Sequence, residues 1–244
     1  MIELAIFGTI TGFISGFFGV GGGMILVPML LYAGYVMKEA VSISIMQMVF
    51  SSIYGSFLNS KKAKNVLKDG LVIGIGGFVG GLQNGFIISH VSNETLQYLF
   101  LAILVYSIVK IFKSPAENKE GPKQVNKLAL FVIGFCIGIV AMSIGIGGSI
   151  LLTPVLVGFL RYDLKTATAL GLFFVIFSSV AGFISLSLID QMLYKEGAIV
   201  GICSLVGVYF GILAKGKIQS NSYKKFILLL NILILIAMVN KLFF

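Results

Sequence analysis

Charge is scarce in this chain: of 244 residues only 11% are Asp, Glu, Lys or Arg, against about a quarter in a soluble domain. Histidine occurs once, as His90, at the end of an apolar segment, and cysteine twice, as Cys136 and Cys203, each within an apolar run. With no Cys or His close to either thiol, zinc-type ligand spacing and a disulfide framework are both disfavoured, and the thiols read as small buried hydrophobes. The nine acids (Glu3, Glu39, Asp69, Glu94, Glu117, Glu120, Asp163, Asp190, Glu196) all stand at loop or segment ends. No buried carboxylate is therefore left for a proton relay in mid-membrane. Carboxylate pairs, a Ser/His set and P-loop or GxGxxG spacing are also missing. Neither catalytic residues, metal nor cofactor is expected.

What is abundant is apolar. Hydrophobic residues make up 58% of the chain, and its mean hydropathy is +1.05. At about 20 residues per crossing, at most ten to twelve segments would fit, leaving almost nothing for an extramembrane domain. The expected partner is thus a lipid bilayer. The net charge of +9 would suggest nucleic acid in a soluble protein; here it marks loops. The first residues, MIELAIFGT, lack a basic region and include Glu3, so the opening apolar run is expected to belong to the fold rather than to a cleaved signal.

The chain repeats itself. GFISGFFGVGGGMILVP at 12–28 recurs as GIVAMSIGIGGSILLTP at 138–154, an offset of 126. After one added residue the offset becomes 127: Lys38, Ala40, FSS at 50–52, Gly55, Gly70, Gly74 and Gly80 recur as Lys165, Ala167, FSS at 177–179, Gly182, Gly197, Gly201 and Gly207. Residues 1–117 form a first repeat and 128–244 a second, joined by a hydrophilic, cytoplasmic linker at 118–127.

Lysine placement bears on the relative orientation of the copies, because basic residues collect in cytoplasmic loops. Eight single crossings would split the 18 Lys and Arg 11 to 7. If each long first stretch instead goes in and comes back, the loops at 59–69, 110–127, 161–165 and 215–225 share one side and hold 15 of the 18. Only Lys38, Lys195 and Lys241 lie opposite. The expectation is an all-α polytopic membrane protein of two inverted repeats, each a glycine-broken helical hairpin plus three transmembrane helices, with both termini outside. Whether the outgoing arms cross fully or stop midway is open, since the parity is even in both cases. The returning arms, 24–35 and 149–160, are about 18 Å of helix, too short for a core of about 30 Å.

The hairpin tips are GVGGG at 19–23 and GIGGS at 145–149. A break inside an apolar stretch exposes N–H groups that lipid cannot satisfy, and the helix that follows presents its positive dipole end. Two such ends from opposite faces would hold a small anion near the midplane. Elsewhere small-xxx-small spacings (Gly8, Gly12 and Gly16; Gly76 and Gly80; Gly207 and Gly211) read as helix packing, a role open to the tip glycines as well. The candidate binding residues are Gly19, Gly21, Gly22, Gly23, Ser44, Gln47, Gly145, Gly147, Gly148 and Ser149. Ser44, Gln47 and Ser51, at i, i+3 and i+7, share one helix face. Gln83 and Asn84 are the most polar pair within a span of the first repeat, where the second has Phe210 and Gly211.

The duplicated G-[VI]-G-G-[GS]-x4-P block, followed by a helix carrying FSS, resembles the TauE/SafE (toluene sulfonate uptake permease) family over essentially the whole chain. The resemblance implies a transporter of the bacterial or archaeal inner membrane, with members associated with sulfite, sulfonates and other organosulfur anions. Family members commonly carry a Thr-Ser pair near the start of the helix after each hairpin. Here those positions hold Ile43 and Ser44, then Leu170 and Gly171, one hydroxyl of four, so substrate identity is less well marked than fold. Alternating access between the two halves is expected; a non-transporting subunit of a partner complex and a passive anion channel are the alternatives. Formation of a homo-oligomer is left open.

Overall fold

The computed structural model describes residues 1–19, 21–59, 67–113, 125–162, 164–215 and 220–243. Most of the linker, 118–124, lies outside them, as do Val20 at the first tip and much of the lysine-rich loop at 60–66. Among the described residues the chain is all-helical: α1 (Ile2–Phe18), α2 (Gly23–Tyr32), α3 (Met37–Asn59), α4 (Leu67–Gly81), α5 (Asn84–His90), α6 (Asn93–Lys113), α7 (Lys127–Ser143), α8 (Ser149–Gly158), α9 (Leu164–Leu188), α10 (Tyr194–Lys215) and α11 (Ser220–Phe243).

Among the described residues six segments are long and apolar enough to cross a membrane, at 37–58, 69–90, 93–113, 166–188, 194–215 and 224–242. Of these, α9 and α3 are the most enclosed, 61% and 56% buried, and α11 the least, at 22%, so α3 and α9 form the centre and α11 the periphery. The span at 69–90 is α4 and α5 across a break at Leu82 and Gln83, the polar spot seen in the sequence. There Ser185 of α9 splints the free backbone: its hydroxyl donates to the Leu82 carbonyl at 2.7 Å and accepts from the Gly85 N–H at 2.8 Å.

Two hairpins complete the set. α1 and α7 have 17 residues each, and α2 and α8 have 10, about 25 and 15 Å. The first returning arm thus starts one residue earlier than the apolar run suggests, the second at the expected residue, and both end sooner. Asn126 caps α7, its side-chain oxygen accepting from the Leu128 N–H at 3.2 Å. α1 stops at Gly19, a left-handed residue whose N–H donates to the Ser15 carbonyl at 2.7 Å. Pro28 and Pro154 sit inside the returning arms, where a missing N–H frees the carbonyl four residues back; at Ile150 that carbonyl accepts a 3.5 Å bond from Ser107 of α6.

Small residues let the outgoing arms pack backbone to backbone on the other half. Cβ atoms added at Gly8, Gly12 and Gly16 of α1 would run into the backbone of Val200, Ser204 and Val208 of α10. The counterpart contact joins Gly134 and Gly138 of α7 to Ile73 and Gly77 of α4. These are the same positions shifted by 126 and 127, so the repeat in sequence is a repeat of contacts, and each half sends its outgoing arm to its partner.

Contacts between described helix ends and turns form two groups. In one, Lys110 lies 4.5 Å from the Phe159 ring centre, Lys224 donates to the Phe112 carbonyl at 3.1 Å, and the Tyr162 hydroxyl donates to Asp69 at 2.9 Å. In the other, the Tyr32 hydroxyl donates to the Ala237 carbonyl at 3.0 Å, Lys241 approaches the Tyr32 ring, the Lys38 N–H donates to Asn93, and the Leu193 N–H donates to Ser42. Burial, and then the hydrogen bond to Asp69, push the Tyr162 hydroxyl well above its ordinary value of 10.0. Its counterpart Tyr35 is raised by burial and then by Glu196, the counterpart of Asp69. A tyrosine titrating higher when folded contributes stability in full below its ordinary value and loses it as pH rises toward the folded one. Thermal stability should therefore fall above about pH 10, and Tyr162→Phe, lacking the bond, should cost about 1 kcal/mol at neutral pH. Melting curves of the detergent-purified wild type and Tyr162→Phe between pH 7 and 11 measure both effects; equal stability of the two proteins at neutral pH would refute the bond's contribution.

Candidate functional site

Each tip carries three glycines with positive φ at equivalent places: Gly19, Gly21 and Gly22 at +69°, +82° and +82°, and Gly145, Gly147 and Gly148 at +69°, +89° and +77°. That conformation costs an L-residue about 1–2 kcal/mol, which explains the repeated glycines better than packing does. Gly22 and Gly148 are the N-caps of α2 and α8, so the amides of the first turns have no earlier turn to donate to.

The tips meet midway along α3 and α9. Cβ atoms added at Gly21 and Gly147 would each touch Met48 and Val175, which are counterparts of one another. A Cβ on Gly23 would strike the Gly145 carbonyl, so the start of α2 lies directly against the second tip. The outgoing arms go further. Gly19 abuts the Thr168 carbonyl near the start of α9, and Gly145 abuts Val41 near the start of α3. Each is seven residues, about 10 Å of helix, from the level of Val175 and Met48. Each outgoing arm thus passes the middle and ends within about a turn of the far end of the α9 or α3 span, and the chain climbs back through the glycines before the returning arm begins.

All ten predicted residues are buried. A Cβ on Gly22 would stand 2.7 Å from both amide atoms of Gln47, whereas the same position on Gly148 meets Phe174, the counterpart of Gln47. Ser51 reaches the Gly21 carbonyl at 3.5 Å, so Gln47 and Ser51 on α3 do look at the first tip. On the second side, Ser149 and Thr153 of α8 lie against Gly171, with the Thr153 hydroxyl oxygen 3.6 Å from its added Cβ. Thr153, Met48, Phe174 and Val175 were not singled out in the sequence. Their signal was there in the comparison of the copies, since Thr153 faces Val27 across the repeat as Gln47 faces Phe174.

Both amide atoms of Gln47 and the hydroxyls of Ser44, Ser149 and Thr153 are buried without a hydrogen-bond partner. Each such group costs about 1–3 kcal/mol when left unpaired. Similar groups occur at Ser15, Ser52, Ser56, Asn84 and Asn231, but these are spread over four helices, while Gln47 and Ser149 lie at two touching tips with Thr153 one turn further along α8. Among the described residues no cluster of His, Cys, Asp or Glu could hold a metal ion. What the tips can do is donate: backbone N–H groups at two helix starts, the Gln47 amide and the Ser149 and Thr153 hydroxyls suit a small anion without a fixed positive charge.

A multi-pass helical bundle with two broken hairpins meeting at its centre is the architecture of a membrane transporter. The family model described as sulfite exporter TauE/SafE matches residues 4–238, and the chain belongs to that family. It is similar to a probable membrane transporter protein of Methanocaldococcus jannaschii, 30% identical over 190 residues that cover 75% of this chain and 70% of that protein. A probable membrane transporter protein of Haemophilus influenzae is 28% identical over 61% of this chain and 60% of its own length. Another, YdhB of Bacillus subtilis, is 24% identical over 82% and 84%.

Proposed function

We propose that this protein is an inner-membrane secondary transporter of small anions, sulfite, a sulfonate or another sulfur-containing anion, held between the tips at 19–23 and 145–149. The observation that carries this reading is the convergence of two glycine-capped helix starts on unpartnered neutral donors. An uncharged site of this kind holds an anion by oriented N–H groups and dipoles, and when empty leaves no buried charge to be stabilised. The two halves are inverted and rock about the tips to alternate access. Supporting this are the contacts joining 110–113, 159–162, 69 and 224 at one end, and 32, 38, 93, 193 and 237–241 at the other. The first set flanks the loops with 15 of the 18 basic residues, which supports a cytoplasmic position for that end by the charge rule.

Purified protein in liposomes is expected to show saturable flux of sulfite, thiosulfate or a sulfonate in preference to chloride. Absence of selective anion flux under any gradient would overturn the proposal, and conductance far above transporter turnover would assign a channel instead. Single cysteines at Ser60 and Gln219, both outside the described residues, should label from the same side, and one at Gln191 from the other. Labelling of Ser60 and Gln219 from opposite sides would refute the inverted arrangement.

A further inference from the structure

The two halves differ in a consistent direction along the route from the tips to each end. Toward the lysine-rich end stand Ser149, Thr153, Thr168 and Lys215; their counterparts toward the other end are Gly23, Val27, Val41 and Ile88. The hydroxyls of Ser149 and Thr153 are buried and unpartnered. Thr153 faces Gly171 on α9, and Thr168 precedes Gly171 by three residues, one turn nearer the lysine-rich end on the same helix face. The Lys215 ammonium, at the last residue of α10, donates to the Thr168 hydroxyl at 3.1 Å, and the Thr168 carbonyl abuts Gly19 of the first tip. In the opposite direction Gly145 packs against Val27 and Val41, its added Cβ 3.1 Å from one and 3.0 Å from the other; both valines are as fully buried as Thr168, so the two directions differ in the polarity of what lines them.

We propose that Ser149, Thr153, Thr168 and Lys215 form an anion vestibule from the tip site to the lysine-rich end, with Lys215 as its charged station, and that Val27 and Val41 are an apolar gate on the other side. This inference rests on the anion-transport reading above. Hydroxyls can hand an anion along a path by successive hydrogen bonds, and one cation at the mouth raises the local anion concentration. Two valines closed on a glycine offer an anion nothing, so passage that way requires the hairpins to move. The asymmetry also separates the roles of the two tips, which the repeat alone would make equal.

The test does not depend on knowing the substrate. In a background with Cys136 and Cys203 replaced, single cysteines at Thr153, Thr168, Val27 and Val41 are exposed to small anionic and cationic methanethiosulfonate reagents, with rates normalised to a free thiol. Cysteines at 153 and 168 should react faster than those at 27 and 41 and prefer the anionic reagent. Lys215→Gln should lower the anionic preference at 168 by about tenfold, the effect of removing one nearby charge at intermediate dielectric. Equal inertness at all four positions, or a preference unmoved by Lys215→Gln, would overturn the vestibule. Sulfite flux through the wild type separates the two levels. Reactive cysteines without flux leave the vestibule standing and remove the transport reading; flux with inert cysteines does the reverse.

Discussion

Replacing Gly22 or Gly148 by valine should abolish transport while leaving a folded, membrane-inserted protein. Both residues have positive φ, +82° and +77°, and both cap the helices whose first N–H groups would hold the anion. A Cβ at Gly22 drives 2.7 Å into the Gln47 amide, and one at Gly148 into the Phe174 ring. The conformational penalty is about 1–2 kcal/mol for any L-residue, and overpacking adds about 1–3 kcal/mol. These costs are relieved by displacing the tip, since the bundle is held by the long packing of α1 on α10 and α7 on α4. Losing two donors to a charged ligand at about 1.5–3 kcal/mol each predicts a fall in transport of about a hundredfold or more. Gly34→Val is the matched control: its φ is +95°, yet nothing lies within 4 Å of its added Cβ. It should suffer the backbone penalty and keep transport. Initial rates in liposomes, alongside size-exclusion profiles, measure both outcomes; normal rates in Gly22→Val and Gly148→Val would remove the tips from the binding site.

Fold class was legible because it rests on long-range regularities. Twenty-residue apolar runs mark spans however they pack, and a recurring GxGG block shows itself at fixed offset. Even the single added residue can be located. α2 ends at Tyr32 and α8 at Gly158, an offset of 126, while the left-handed residues that follow, Gly34 and Arg161, are 127 apart. The extra residue therefore falls in the loop right after α8. Helix partners were not legible: Gly8, Gly12 and Gly16 announce close packing without saying that α10 receives it. That choice follows from the crossing of the two halves, which no local pattern encodes. The level of the tips was hidden for a related reason, because an even number of crossings is unchanged by how far an arm reaches before it turns.

At the site, the glycines and the α3 face were readable from spacing, but Thr153 was masked by its place inside an apolar run one residue before Pro154. Its meaning appears when the copies are laid over each other. Polar groups occur on α3 and α8 (Ser44, Gln47, Ser149, Thr153), and apolar or absent side chains at the counterparts on α9 and α2 (Gly171, Phe174, Gly23, Val27). The repeat supplies the architecture, and departures from it supply a direction.

Gln47 is where that departure has the sharpest expected effect. Its side chain is fully buried, both amide atoms lack partners, and it lies against the N-cap of α2. Were Gln47 a packing residue, Gln47→Leu would fill the same space and leave transport intact. Were its hydrogen bonds structural, the change would lower both stability and transport. A ligand-facing amide predicts opposite signs. Stability should rise, since an unsatisfied buried amide costs about 1–3 kcal/mol that leucine does not incur, while half-saturation for sulfite should worsen by about tenfold or more as a donor to the anion is lost. Gln47→Glu extends the logic: its carboxylate would face the bound anion in a poorly screened interior, so transport should vanish near neutral pH. Melting temperatures without sulfite and concentration-dependent uptake, measured on the same preparations, decide the matter. A Gln47→Leu protein that melts lower, or that transports with unchanged half-saturation, would show that the amide does not face the substrate.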